Sequence, residues 1–393
     1  MASLQLVDRI VFFGGFGPPS LIFARSAYAM GIAVYLLTPN VQSSRPKVPS
    51  SCFAGVEAFD ASLVGNSRGI DAVVDYVRRI GAQALATISD AHCLWFARNR
   101  ARFQDVCKLL VPPIECLELV ESKTRQIHLA REVGLKVLPT YEIRRLDDVE
   151  AIESDHYPIC LRPAVPDAIV PPFKLRLARS RDELRHLLQD IKSFDDCILA
   201  QPFHPVPNMV VHCTSREGGE LMTVDTFLVD RKFEGLALRI RRMNAPESLE
   251  EKLRKFSANL GLCGAYHYDF LFLPHCSEPY YLEVNVRFGG TTDKVIWLGV
   301  DEPANTLKAY GLASPAVPRR FSAGARAVVN KRFTLKHIWT MLRRGPNPWD
   351  YPQESRWRAV LRSLADLAMA KDSIADYQDL RGTFAFHVQG FRP

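Results

Sequence analysis

Two short stretches of this chain hold residue types that do chemistry in combination. Tyr266-His267-Tyr268-Asp269-Phe270 is followed, fourteen residues after Asp269, by Glu283 in the run Tyr281-Leu282-Glu283-Val284-Asn285-Val286-Arg287-Phe288-Gly289-Gly290. Aromatic and β-branched residues alternate with polar ones, and Pro274-His275-Cys276-Ser277-Glu278-Pro279 interrupts them, which predicts two strands joined by a turn. Side chains two apart on a strand share a face, so Glu283, Asn285 and Arg287 point one way. Pairing of the strands would add Asp269 to that face. Two carboxylates and an amide oxygen together suit a hard divalent cation such as Mg²⁺, which leaves room for phosphate oxygens; a neighbouring Arg then meets a phosphate. His267 shares the face of Asp269 and offers a polar wall or a proton acceptor, although a hydrogen-bonded structural histidine is the plainer reading. The bland reading of the whole set is a solvated sheet face.

The elements that would position these residues start at the N-terminus. Arg9–Phe13 is an apolar run, Gly14-Gly15-Phe16-Gly17-Pro18-Pro19 a glycine loop, Leu21–Met30 has helical spacing, and Ala33–Leu37 reads as a second strand. This β-α-β opening predicts a parallel sheet and an α/β class. Gly15, Gly17 and Ser20 imitate a dinucleotide fingerprint only loosely: two prolines stand where the helix should begin, and no acidic residue closes the next strand. Because the glycine loop interrupts the apolar stretch Ile10–Ala24, it reads as strand, loop and helix rather than as a signal peptide. Asp71–Ile80 reads as a helix, Ala84–Ile88 as a strand, and Asp90–Asp105 as a third helix.

A length of 393 residues calls for several packed subdomains, and 47% hydrophobic with 24% charged residues is the composition of a soluble globular chain. An apolar run of about 18 residues, the minimum for a membrane-spanning helix, is absent from the sequence. Nine scattered cysteines without a C-x-x-C pair argue against a disulfide framework or zinc site, and for a reducing, cytoplasmic setting.

With these residues in view, the chain resembles the ATP-grasp superfamily, especially its carbamoyl-phosphate-synthase-like and D-alanine–D-alanine-ligase-like members. The Asp, then Glu-x-Asn-x-Arg-x-Gly-Gly arrangement looks like that family's metal-binding end, with Val286 where Pro is usual. Ser122-Lys123 and then Gly134-Leu135-Lys136-Val137-Leu138-Pro139 resemble its entry into the nucleotide domain, and Pro158–Pro163 resembles a strand ending in a second lysine, here Arg162. The resemblance implies a fold in four parts: an N-terminal parallel-sheet α/β domain (1–118), an α+β lid subdomain (119–200), a metal-bearing subdomain (201–315) and a helical, basic C-terminal extension (316–393). It implies ATP and one or two Mg²⁺ as cofactors, with Asp269, Glu283 and Asn285 on the metal and Lys123 and Arg162 on the phosphates. Adenine would lie along Ala200, Gln201 and Phe203, and the ribose would meet Asn208; the family usually has Glu at both amide positions. Arg287, together with Arg239 and Arg241 on a predicted hairpin, would act on the transferred phosphoryl group and the substrate, with His267 beside them. Where the family carries a Gly/Ser-rich lid, Ala164–Phe173 holds no glycine and several prolines, and proline donates no N–H.

The implied activity is a carboxylate–amine ligase working through an acyl phosphate on small-molecule carboxylate and amine substrates. Two other readings remain open: a binding or regulatory module that has lost catalysis, and a kinase acting on a hydroxyl. Oligomeric state is not legible.

Charge is uneven. Between Arg319 and Arg362 stand eleven Lys/Arg and two Asp/Glu, against +7 for the whole chain. Thr334–Arg344 and Arg356–Met369 read as amphipathic basic helices. Packing of their apolar faces on the parent domain is the favoured reading, peripheral membrane contact through 334–369 comes second, and no nucleic-acid partner is expected.

Overall fold

The computed structural model describes residues 5–39, 47–166, 168–273, 276–316, 321 and 324–389. Pro274 and His275 of the turn, Asp167 of the lid segment, and Arg319 and Arg320 of the basic run lie outside the described residues.

The first layer is a parallel sheet. β2 (Arg9–Phe13), β3 (Ala33–Thr38), β4 (Phe53–Ala58), β5 (Ala84–Thr87) and β6 (Lys108–Leu109) run in the order β4-β3-β2-β5-β6. Strand β2 is central and apolar from Ile10 to Phe13 because helices cover both faces. Between the strands run α1 (Pro18–Ala29), α2 (Ser67–Ile80) and α3 (Asp90–Arg98). Helix α1 starts at Pro18, three residues before the spacing predicts, since the first turn needs no proline N–H. Gly17 N–H donates to Ser20 Oγ at 2.9 Å to close that turn.

α4 (Ile114–Glu121) and α5 (Lys123–Glu132) lead to a four-stranded antiparallel sheet, β11-β9-β13-β8, built from β8 (Tyr141–Ile143), β9 (Ile159–Pro163), β11 (Arg176–Ala178) and β13 (Ile198–Pro202), with α6 (Arg181–Gln189) packed on it. A two-stranded pair of β10 (Ile169–Val170) and β12 (Ser193–Phe194) pins the proline-rich segment.

The largest sheet has eight strands in the order β21-β20-β16-β15-β14-β17-β18-β7. Its members are β7 (Lys136–Val137), β14 (Asn208–Ser215), β15 (Leu221–Phe233), β16 (Leu236–Arg242), β17 (Gly264–Leu271), β18 (Tyr280–Asn285), β20 (Val328–Val329) and β21 (Lys371–Asp372). α7 (Glu247–Leu260) covers one face, and there Tyr266, Tyr268, Phe270 and Tyr281 join Leu249, Leu253 and Phe256 in the core. The phenols are satisfied inside: Ser257 Oγ lies 2.7 Å from the Tyr266 hydroxyl and 2.9 Å from that of Tyr268. On the other face pack α8 (Thr292–Val295) and α9 (Glu302–Ala309), and β19 (Leu312–Ala313) pairs with β1 (Gln5–Leu6).

The basic C-terminal segment is integrated rather than appended. It supplies β20 and β21 to the large sheet, then α10 (Lys331–Arg344), α11 (Arg356–Met369) and α12 (Leu380–Gln389). Arg231 reaches from β15 to Asp366 at 2.6 Å and Ser363 at 2.9 Å on α11. Arg25 of α1 pairs with Asp379 at 2.9 Å, both side chains almost wholly buried.

His337 of α10 is buried against Ser363 Oγ at 2.9 Å. Burial, with the Arg231 charge nearby, pushes its pKa down to about 4 from 6.5. The unfolded chain therefore binds a proton between those values that the folded one refuses, so stability falls as pH drops through that window. His337→Gln is expected to remove about 3 kcal/mol of the acid destabilisation between pH 7 and pH 4. Melting curves of both proteins at the two pH values measure the difference.

Candidate metal and phosphate site

The two signature strands pair in register: Asp269 lies opposite Glu283, and His267 opposite Asn285. Alternation puts these four side chains on the face away from the tyrosine core. Asn285 bridges the carboxylates, its Nδ2 donating to Asp269 Oδ2 at 3.0 Å and lying 3.5 Å from Glu283 Oε1.

Cations arrive from two other elements. Lys123, first residue of α5, places Nζ 3.9 Å from Glu283 Oε2. Arg162, on β9 of the four-stranded sheet, places a guanidinium nitrogen 3.5 Å from the same oxygen. Lys123 is aimed by a residue that the sequence reading passed over. Gln126, three positions on and therefore on the same helical face, accepts through Oε1 from Val284 N–H and the Tyr281 hydroxyl, each at 2.8 Å. It bolts α5 to β18. A buried Gln one turn after a candidate Lys was the available signal.

Asp269 and Glu283 keep 21% and 29% of their side-chain surface, so solvent reaches them although protein packs on every other side. Burial, and then the Glu283 charge, pushes Asp269 up to about 7. For Glu283 burial acts in the same upward direction, but Arg162 and Lys123 outweigh it and hold the carboxyl below its usual range. Burial lowers the Lys123 ammonium, and Glu283 offsets part of that. A carboxyl raised by burial and by a facing carboxylate marks a place where a divalent cation would relieve repulsion. With an amide that can turn its oxygen inward, the set fits Mg²⁺.

His267 packs behind the carboxylates. Its Nε2 lies 3.7 Å from Asp269 Oδ2, and its ring stacks on His212 with centroids 5.5 Å apart. Burial and His212 drive its pKa well below the ordinary range, so the ring is neutral. His212 bonds to Glu302 at 2.7 Å and to Thr291 Oγ1 at 2.9 Å, fixing the turn that carries Gly289 and Gly290. Arg287 reaches the N-terminal layer, donating to Asp90 Oδ1 at 2.7 Å.

The residues expected at the nucleotide are arranged less simply. Gln201 accepts from Arg162 at 2.8 Å and donates to Thr140 Oγ1 at 2.8 Å, so its amide joins the network of Arg162 and Glu283. Ala200 sits inside the sheet, in register with Leu161 and Tyr141, and Phe203 N–H already donates to Pro158 O at 2.7 Å. Asn208 lies on the Asp269 face and accepts at 3.0 Å from Lys232, whose burial brings it down to about 8. Phe203 meets Trp349 of the C-terminal segment edge-on at 5.1 Å.

Arg239 and Arg241 need correction. Register runs Asp269–Val210–Phe227–Arg242 across four strands, so Arg242 shares the carboxylate face while Arg239 and Arg241 point to the opposite one. There Arg239 is ion-paired with Asp230 and, at 3.3 Å, with Asp366, and Arg241 with Asp230 at 3.4 Å. The two residues do share a face, as their spacing predicts, but that face is turned away from the carboxylates, against the substrate role that the resemblance implied. Arg242 itself is committed to Leu298 O at 2.6 Å and Asp225 at 2.8 Å.

No protein-family model and no curated protein sequence matches the chain. Solved structures do. The biotin carboxylase domain of Hydrogenobacter thermophilus 2-oxoglutarate carboxylase, complexed with MgADP, ADP and bicarbonate, is 14% identical, covering 80% of this chain and 72% of that one with a TM-score of 0.62. N5-carboxyaminoimidazole synthetase from Staphylococcus aureus is 12% identical over 88% of each chain, with a TM-score of 0.60. L-amino acid ligase from Bacillus licheniformis is 14% identical, covering 81% and 77%, with a TM-score of 0.57. At such identities the likeness is one of fold.

Proposed function

Starting from the premise that this chain has the ATP-grasp fold, we propose that it is an ATP-dependent carboxylate–amine ligase working through an acyl phosphate. The observation that carries the proposal is the facing pair Asp269 and Glu283, with Lys123 and Arg162 converging on Glu283 from two other elements. Structures of this fold that hold MgADP, and one whose name is L-amino acid ligase, support it.

Asp269, Glu283 and Asn285 would hold one or two Mg²⁺, which when bound neutralise phosphate oxygens and orient the phosphate chain. Lys123 and Arg162 are placed to exchange their contact with Glu283 for phosphate oxygens. Arg287, tethered by Asp90, is placed to stabilise charge on the transferred group. Transfer of the γ-phosphoryl group to a substrate carboxylate oxygen yields ADP and an acyl phosphate. An amine then attacks the carbonyl carbon, phosphate leaves and an amide forms with loss of a proton. Catalysis of this kind asks for positioning and charge neutralisation more than for a strong base. Neutral His267 buttresses Asp269, and Arg239 and Arg241 take no part.

The test is Mg²⁺-dependent ADP release from purified protein against pools of amino acids and small carboxylic acids, with hydroxylamine present to trap acyl phosphate. Release and hydroxamate that require particular pools, and vanish in Asp269→Ala, are expected. The pinned proline-rich segment favours one rival, a module that binds nucleotide without turnover. Binding of Mg·ATP with no ADP from any pool would establish that rival; ADP release without hydroxamate would instead indicate a hydroxyl acceptor.

A further inference from the structure

We propose that the outer face of the α10–α11 hairpin docks on an anionic lipid surface. The two helices are inverted relative to ordinary amphipathic packing. Helix α10 turns Thr334, His337 and Thr340 inward with Met341, and α11 buries Ser363 beside Ala359 and Val360. Outward stand Leu335, Trp339 and Leu342 on α10 and Trp357, Leu361 and Leu364 on α11, between 44% and 66% exposed. Both triads recur at i, i+4 and i+7, so each is a continuous ridge. Among the described residues, six of the seventeen exposed large apolar side chains lie on these two ridges, a concentration beyond ordinary surface scatter.

Charge selects the occupant. Helix α10 has five Lys/Arg and no acidic residue, and the acidic residue of α11, Asp366, turns inward to Arg231 and Arg239. Lys336 and Arg362 are paired with Glu234 and Glu354, yet the patch stays strongly positive. The hairpin turn brings the C-terminal end of α10 to the start of α11: a side chain on Gly345 would stand 3.4 Å from Arg356. Trp339 lies in the C-terminal half of α10 and Trp357 in the first turn of α11, with Arg343 stacked 4.3 Å over the Trp339 ring and Arg356 and Arg358 flanking Trp357 in sequence. Exposed indoles and leucines on helices rich in guanidinium groups match the headgroup layer of an anionic bilayer, where ring and cation each find their preferred depth. A second copy of this chain is disfavoured, since a two-fold contact would set the arginines against one another. Among the described residues no helix is long and apolar enough to cross a membrane, so the contact would be peripheral.

Flotation of the full chain with vesicles tests this. The protein is expected to float with phosphatidylglycerol-rich vesicles and to bind pure phosphatidylcholine vesicles on the order of 10²-fold more weakly, with the difference shrinking in high salt. Trp339→Ser with Trp357→Ser should abolish flotation, and Arg343→Glu with Arg344→Glu should erase the lipid preference. Circular dichroism and ADP release should be unchanged in both, because none of these residues touches the metal site. No flotation with either vesicle, or flotation that survives both double variants, overturns the proposal. So does a dimer in solution that the tryptophan variants dissociate, since the face would then be a self-interface.

Discussion

Glu283→Gln is expected to lower Mg²⁺-dependent ADP release by on the order of 10³-fold while the protein remains folded. The substitution keeps the shape and removes one charge from the place where charge is most concentrated. Lys123 and Arg162 lose their shared anion, and Asp269 loses the neighbour that helps keep it protonated. One carboxylate would then have to hold a divalent cation beside two cations that have lost their nearest anion. The fold does not depend on this side chain. Strand β18 is held by its backbone ladder to β17 and by Gln126, and a partly exposed ion pair contributes about 1 kcal/mol or less. Melting temperature and circular dichroism near those of the parent, with turnover gone, are the expected pair of results. Turnover within tenfold of the parent would remove the metal assignment.

Gly289→Ala and Gly290→Ala are expected to differ sharply although the residues are adjacent. A methyl group on Gly289 would stand 2.4 Å from His267 Cε1 and 2.8 Å from its Nδ1. The ring has nowhere to go: His212 stacks on one side and the Asp269 carboxylate lies near Nε2. Overpacking of this sort costs about 1–3 kcal/mol, and here it pushes, through the His267 ring, toward the Asp269 carboxylate. Gly289→Ala should therefore melt earlier and lose at least roughly tenfold in turnover. A methyl on Gly290 meets nothing within 4 Å, so Gly290→Ala should melt with the parent. If its turnover falls through KM alone, substrate approaches that backbone. Equal melting of both variants with the parent would show that His267 can yield.

The Gly-Gly pair illustrates what was legible in the sequence and what was not. Period-two alternation predicted the two strands, their shared face and the meeting of Asp269 with Glu283 and Asn285, because a strand allows only two faces. It could not say which face of β16 would turn toward the carboxylates, since that parity is set three strands away through the β14–β15–β16 register. Hence Arg239 and Arg241 were placed wrongly. Gly289 stands out in the sequence only as part of the motif; its structural reason is a histidine that the β17–β18 pairing brings beneath it. Lys123 and Arg162 were found by motif, but their aim depends on Gln126 and Gln201, whose partners are remote in sequence. The basic C-terminal helices were legible as amphipathic, yet not the side they bury: Ser363 goes inward because Arg231 and His337 both hydrogen-bond to it, and the Thr334 hydroxyl is satisfied by Asn330 O of its own helix.

The pairing of Arg25 with Asp379 has a consequence in time. The partners are 354 residues apart in the chain, and a ribosome adding about 5–20 residues per second delivers Asp379 roughly 20 to 70 s after Arg25. Throughout that interval the first helix carries a cation whose eventual site is fully buried, together with the apolar surface around Leu21 that Ile374 and Phe386 later cover. The N-terminal layer is made first and completed last. Nascent chains stalled before residue 379 should thus remain chaperone-bound or protease-sensitive in their opening segment, and this protein's yield in a cell should follow the rate at which translation finishes.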